Sequence, residues 1–247
     1  MVSLLPSHTD ILVALGALDQ VVAVADAEDA RLYPALPRVG GMEMSWEALV
    51  RLRPDLILAD VSHRRHDAQF QRLHLPVVYL PSTQAATVED VLALVADIGR
   101  RVGREERAAR WEAEARERIR ALESRRRPGP GPRVYFEIWP QPLQACGPRS
   151  LAGNLIARAG ARNIVVDPAQ AVPLMSAEAV VQANPQVILH TGLQSNADIA
   201  ARPGWAGVEA VERGRVMAVN PDDFSRAGPR ILDAWENFLD LLARGTP

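Results

Sequence analysis

The sequence predicts an α/β protein of two Rossmann-like lobes joined by one long rigid helix, with a ligand cleft between the lobes. Three observations carry that expectation. Short apolar runs alternate with amphipathic stretches, the pattern of βαβ units and a mostly parallel sheet. One block, Met44–Leu58, recurs as Met175–Leu189. Between the two series lies a strongly charged helical stretch that stops at Pro128-Gly129-Pro130-Gly131-Pro132.

In the first series Val2–Leu5, Val21–Ala25, Leu56–Ala59 and Val77–Leu80 are short apolar runs that read as buried strands. Thr9–Leu18, Ser45–Leu52 and Arg64–Leu73 read as the helices between them. The stretch Glu105–Arg127 follows, with Ala108, Trp111, Ala115, Ile119 and Leu122 at helical spacing and Glu and Arg on the opposite face. Pairs such as Glu112–Arg116 and Glu114–Arg118 add about 0.2–0.5 kcal/mol each. A helix of this length spans about 33 Å at 1.5 Å per residue, which suits a strut better than a crossover. Proline and glycine end it sharply. After Pro132 the series restarts. Val134–Ile138, Asn163–Val166, Val187–Leu189 and Val216–Val219 read as strands, and Leu151–Ala159, Ser176–Ala183 and Pro229–Ala243 as helices. The expected boundaries are residues 1–103 for the first lobe, 104–128 for the connecting helix and 129–247 for the second lobe.

The repeat has one physical grammar. Ser45 and Ser176 cap a helix, Glu47 and Glu178 sit in its first turn against the positive dipole end, Pro54 and Pro185 stop it, and a buried strand follows. A weaker echo pairs Leu12–Ala17 with Ile156–Ala161. In α/β sheets ligands bind at the carboxyl ends of the strands, so a seam between two such lobes is the default site.

The composition excludes several classes of function. The 247 residues are 48% hydrophobic and 23% charged, enough for a substantial core. All 28 basic residues are Arg, against 30 acids, for a net charge of −2, which argues against broad phosphate-backbone binding and hence against a nucleic-acid partner. A single cysteine, Cys146, rules out an internal disulfide. No run reaches the roughly 18 apolar residues of a membrane span. The opening Met1–Pro6 has neither a basic n-region nor a long h-region, so the expectation is a cytoplasmic protein or one whose leader is missing from this sequence. A monomer is expected. Nucleophile elbows and phosphate loops are missing, and Ser7 beside His8 is no activated pair because adjacent side chains rarely converge. The expectation is a protein that is not an enzyme.

Several residues carry candidate chemistry. His8 follows the first strand and His190 the strand Val187–Leu189, so both are expected at the cleft mouth, where an imidazole serves as axial ligand to a chelated cobalt or iron. His63 and His66 read as a solvated pair among Arg64 and Arg65. A zinc or manganese site built from His8, His63 or His66, His190 and Asp223 is disfavoured by five histidines and no His-rich loop. Asp222-Asp223-Phe224-Ser225-Arg226 follows a strand-like run, and reads either as part of the ligand site or as an Asx-capped helix start with a surface ion pair. Trp46, Trp205 and Trp235 are expected to pack, and Trp111 to dock the strut.

Val2-Ser3-Leu4-Leu5-Pro6-Ser7, Val39-Gly40-Gly41 with Glu47-Ala48-Leu49 and Pro54-Asp55-Leu56-Ile57-Leu58, and Ser225-Arg226-Ala227-Gly228-Pro229-Arg230 resemble the helical-backbone (class III) substrate-binding proteins of ABC importers. The nearest group is the vitamin B12 (corrinoid) binders, with ferric-siderophore and haem binders as sisters. The resemblance implies a periplasmic or cell-surface protein with no intrinsic cofactor. It would capture a cobalt or iron chelate, first of all a corrinoid, and deliver it to the transmembrane permease. Glu47 and Glu178 match the family's two glutamates that dock on permease arginines; read without the resemblance they are dipole partners worth about 0.3–1 kcal/mol each. Asp222 and Arg226 match an acid and a base near the ligand. Ala27, Met42, Asp60 and Val172 stand where corrinoid binders commonly carry aromatics, leaving Trp139, Phe224 and Tyr33 as ring-stacking candidates. Ser7, Met42 and Asp60 complete the expected lining. The alternatives are a ferric-siderophore or haem binder, and a cytosolic corrinoid- or metal-handling protein or enzyme.

Overall fold

The computed structural model describes residues 1–29, 31–41, 43–126 and 129–243. The expected ligand contact Met42 and the end of the expected connecting helix, Arg127 and Pro128, lie outside the described residues. Packing divides the chain into two units. The first comprises Met1–Ala85, Glu89–Ala115 and Arg226–Arg230; the second comprises Ala86–Val88, Arg116–Ser225 and the chain from Ile231 onward.

Unit 1 is built on a parallel sheet. Its elements run β1 (Val2–Ser3), α1 (Pro6–Ala14), β2 (Ala23–Val24), α2 (Trp46–Leu52), β3 (Ile57–Asp60), α3 (Asp67–Arg72), β4 (Val77–Leu80) and α4 (Val88–Arg101). The strand order is β2-β1-β3-β4, every pair parallel. Strands β1 and β2 are shorter than their apolar runs, whereas β3 and β4 keep their length; at β1 helix chemistry intrudes. Pro6 takes the first helical position, where its missing N–H costs nothing, so α1 starts three residues earlier than expected. Gly16, at φ +61°, turns the chain out of it. The expected helix Arg64–Leu73 begins instead as a 3-10 turn, Val61–His66, capped by Asp60, and continues as α3. Val2, Leu4, Leu49, Ile57, Ala59 and Phe70 form the buried core, and Trp46 packs edge-on to Phe70 with centroids 5.1 Å apart. Sequence reading placed no helix at α4. Its Val88, Val91, Leu92, Val95 and Ile98 are buried at helical spacing, with Glu89 and Asp90 in its first turn and Arg100 and Arg101 in its last.

The charged stretch is a helix, α5 (Glu105–Ser124), and the division between units falls inside it, between Ala115 and Arg116. Ala108, Ala115, Ile119 and Leu122 are buried as their spacing predicts, and Trp111 is half-buried.

Unit 2 repeats the plan. It runs β5 (Arg133–Pro140), β6 (Leu143–Ala145), α6 (Leu151–Arg158), β7 (Arg162–Asn163), α7 (Ala177–Ala183), β8 (Val187–His190), α8 (Asn196–Ala200), α9 (Glu209–Glu212), β9 (Val216–Ala218), α10 (Pro221–Ser225) and α11 (Ile231–Ala243). Strand β5 pairs in parallel with β7 and β8, and β8 with β9, so β7-β5-β8-β9 reproduces the order of unit 1. What is added is β6, antiparallel to the last residues of β5. The sequence repeat is a structural repeat down to its turn. Helices α2 and α7 both end on a left-handed residue, Arg53 (φ 43°) and Asn184 (φ 45°), followed by proline and then β3 or β8. Proline disfavours α geometry in the residue before it, and a left-handed C-terminal residue closes a helix. Trp205 and Trp235 are fully buried, as expected of packing residues. Helix α5 is tied to α11 within unit 2 by Arg118, 2.6 Å from both Asp233 and Glu236, and by Arg125 with Asp240.

Candidate functional site

Polar side chains gather at the carboxyl ends of the strands in unit 1, the place where open α/β sheets hold ligands. The first cluster is satisfied internally. His8, in the first turn of α1, lies wholly inside the unit with Nε2 2.6 Å from Ser82 Oγ, just beyond β4. Burial pushes its pKa down to about 4, against the opposing effects of the Leu58 carbonyl and Asp60. Asp60 ends β3, and its carboxylate accepts from Ser62 N–H (2.8 Å), Thr83 N–H (2.9 Å) and the Thr83 hydroxyl (2.7 Å). Burial alone raises the Asp60 pKa; the Thr83 and Ser62 bonds outweigh it and hold the group below the usual carboxylate range. His63 Nδ1 accepts the Asp60 N–H at 3.1 Å, completing a reciprocal cap.

The second cluster joins Asp10 of α1 to the loop after β2. Arg226 Nη1 lies 3.7 Å from Asp10 Oδ2. Arg38 Nη1 donates to the carbonyls of Ala25 (2.9 Å) and Glu28 (2.8 Å). The Glu28 side chain is buried, and burial raises its pKa, with Asp10 adding to the effect and Thr9, Arg226 and Arg38 opposing it. Half-buried Tyr33 has its pKa raised by burial and by the charges of Glu28 and Asp10.

Unit 2 offers a different surface. Trp139, near the end of β5, is 48% exposed, and its indole N–H donates to the Gln141 carbonyl at 3.0 Å. The pairings Trp139↔Gln144 and Gln144↔Leu174 put Trp139 and the exposed Leu174 on one face. His190 ends β8, with Nδ1 accepting the Gly192 N–H (3.2 Å) and Nε2 2.7 Å from Asn196 Oδ1, so Nε2 carries the proton. Beneath them Arg202 grips Glu137 with both nitrogens (2.6 and 2.7 Å), while the Tyr135 hydroxyl donates to the same carboxylate at 3.1 Å.

These positions correct several expectations. His8, expected near the surface, is wholly buried within unit 1, because the early start of α1 turns it inward; its Nε2 lies 2.6 Å from Ser82 Oγ. Both nitrogens of His190 are engaged, and His8 is wholly buried with Nε2 against Ser82 Oγ, so as the chain is folded neither imidazole is presented at the surface to a metal. Phe224, expected as a ring-stacking surface, is buried edge-on between Phe136 (5.2 Å) and Phe238 (6.2 Å). Ser7 is buried in the first turn of α1, and Asp60 is committed to its caps. Tyr33, Asp222 and Arg226 remain half-buried and Trp139 exposed. Glu47 and Glu178 are exposed at the second position of α2 and α7, Glu47 paired with Arg51 at 2.5 Å. Sequence reading missed Glu137, Arg202, Glu28 and Arg38. An acid inside the apolar run Val134–Ile138 signals a buried partner; Glu28, in the polar loop Asp26–Asp29, gives no such signal. Among the described residues no group of three or more His, Cys, Asp or Glu is placed to hold a metal ion.

The comparisons with known proteins agree with this geometry. The Periplasmic binding protein family matches residues 1–222. The chain belongs to that family. This binding protein is 29% identical over 98% of its length to an uncharacterized ABC transporter substrate-binding lipoprotein, YvrC, of Bacillus subtilis, covering 79% of that protein. It is 29% identical over its whole length to the vitamin B12-binding protein of Pectobacterium carotovorum, covering 89% of it. Among solved structures, the periplasmic vitamin B12-binding protein BtuF of Vibrio cholerae superposes with a TM-score of 0.79 at 25% identity, over 99% of this chain and 96% of that one. The binding protein is therefore of the substrate-binding kind that serves ABC importers, and its relatives are transport proteins, not enzymes.

Proposed function

We propose that this binding protein works outside the cytoplasm, capturing a corrinoid such as cobalamin or cobinamide and delivering it to the permease of an ABC importer. The observation that carries the reading is likeness along the whole chain to proteins that bind vitamin B12, at the same 29% identity as to a substrate-binding lipoprotein. The exposed Trp139 supports it, since a large flat ring rewards contact with a flat macrocycle. Tyr33, Asp222 and Arg226 are the polar contacts of choice, half-buried and able to exchange water for ligand. Glu47 and Glu178, at matched positions of two like units, are the permease-docking pair.

Absorbance and calorimetric titration with cobalamin, cobinamide, haemin and a ferric hydroxamate tests the reading. The expected result is a corrinoid signal, weakened in Trp139→Ala. Binding of haemin or the hydroxamate alone would replace the corrinoid by the sister ligand, and silence with all four would reject the chelate function.

A further inference from the structure

We propose that Glu28 and Arg38 form a carboxamide-reading site in unit 1, which selects chelates with primary amides on their periphery over chelates bearing carboxylates. The inference rests on the ligand-capture reading above and names the chemistry of the ligand's rim.

Glu28 is only 4% exposed, yet among the described residues neither of its carboxyl oxygens has a hydrogen-bond partner. Arg38 Nη2 is likewise buried without one, although Nη1 of the same guanidinium is bonded to the Glu28 carbonyl. Native interiors rarely leave such groups unmade, and two orphans of opposite kind, on residues already joined through the Glu28 carbonyl, define what is missing. The absent partner presents N–H donors to a carboxyl and a carbonyl oxygen to a guanidinium. A primary amide does both with one planar group.

Thr9 lies beside Glu28 and opposes the rise of its pKa, but its single hydroxyl proton is directed elsewhere. Its hydroxyl donates to Ser3 Oγ at 2.9 Å, and Ser3 passes its own proton to the Leu5 carbonyl at 3.1 Å, so that chain of donors ends away from Glu28. Charge supplies the selectivity. Asp10 and Glu28 face Arg226 and Arg38, two acids against two bases, with Asp10 and Arg226 already an ion pair. A neutral amide leaves that balance intact. A carboxylate adds a third negative charge to a buried cluster, where an unmatched charge is costly. The cluster sits just beyond the carboxyl ends of β1 and β2, the side on which these sheets bind. Arg31, Leu32, Pro34 and Ala35, in the stretch between Glu28 and Arg38, are exposed and carry no helix or strand, and such a stretch opens locally at low cost.

The test is titration of the whole chain with two matched corrins, cobinamide, whose rim is amidated, and cobyrinic acid, whose rim carries carboxylates. Wild type should bind cobinamide at least tenfold more tightly. Glu28→Leu should lose about tenfold in cobinamide affinity and narrow the gap to cobyrinic acid. Glu28→Gln, which keeps the shape and replaces an acceptor by donors, should shift the preference the same way, and circular dichroism confirms that the variant read is folded. Equal affinity of wild type for both corrins, or cobinamide binding unchanged in both variants, overturns the amide site while leaving the transport reading standing. Binding of haemin but neither corrin also overturns it and moves that reading to the sister ligand. Silence with every probe rejects both.

Discussion

Replacing Arg202 by Met tests how the second unit is held together under its candidate surface. The Glu137 side chain is 4% exposed and that of Arg202 15%. The guanidinium makes two charge-assisted bonds to the carboxylate, a third to Gln194 at 2.5 Å, and lies 4.7 Å from the Trp205 ring centroid. Methionine keeps the apolar stem and deletes all of these. The carboxylate of Glu137 is left buried with only the Tyr135 hydroxyl, a loss of about 3–5 kcal/mol for breaking a buried pair on one side. For a chain of 247 residues, at about 2–4 °C per kcal/mol, the melting temperature falls by roughly 6–20 °C. Urea unfolding followed by circular dichroism and tryptophan fluorescence measures it. Glu137→Leu combined with Arg202→Met should recover most of the loss, because the desolvation penalty leaves with the carboxylate. A single-variant loss under about 1 kcal/mol, or a double variant no more stable than Arg202→Met, would refute this account of the buried pair.

Two further outcomes are expected. His8 has a folded pKa of about 4 against an ordinary 6.5, so on acidification the unfolded chain takes the proton first. Its contribution is complete above about pH 6.5 and drains away as pH falls to about 4, by about 3 kcal/mol in all. His8→Gln should flatten stability over that window, leaving the smaller slope from His63, whose pKa is lowered by burial too; an unchanged profile would contradict burial of a neutral imidazole. The double variant Glu47→Ala, Glu178→Ala should alter stability by less than about 0.5 kcal/mol and leave ligand affinity intact. Stimulation of the cognate transporter's ATPase in proteoliposomes should drop at least tenfold, and full stimulation would leave both acids as helix-dipole partners.

Much of the fold was legible because its signals are local. Ser176 caps α7 by accepting the Ala179 N–H, and Pro54 and Pro185 stop α2 and α7, chemistry that acts within one turn; Ser45 stands at the start of α2 but its hydroxyl makes no cap bond, so there the expected cap is not formed. The apolar spacing of Ala108, Ala115, Ile119 and Leu122 reports one face of α5. Helix α4 carries the same kind of local signal in the spacing of Val88, Val91, Leu92, Val95 and Ile98, a face that only its burial in unit 1 reveals. The site was less legible. The ring of Phe224 is buried against Phe136 and Phe238, and Glu28, in a polar loop, is among the most buried acids of the described residues; neither burial has a local signal.

By itself, then, the sequence determined the class of fold, the duplication, the positions of Glu47 and Glu178, and the family. Each depends on residue types at short spacing. Only the tertiary structure decided which polar groups are satisfied. It gave His8 to Ser82, Asp60 to Thr83 and Glu137 to Arg202, and left Glu28 and Arg38 Nη2 without partners among the described residues. Those pairings join residues up to 74 positions apart, and whether a buried group finds its partner is settled by packing in three dimensions, to which periodicity along a chain is blind.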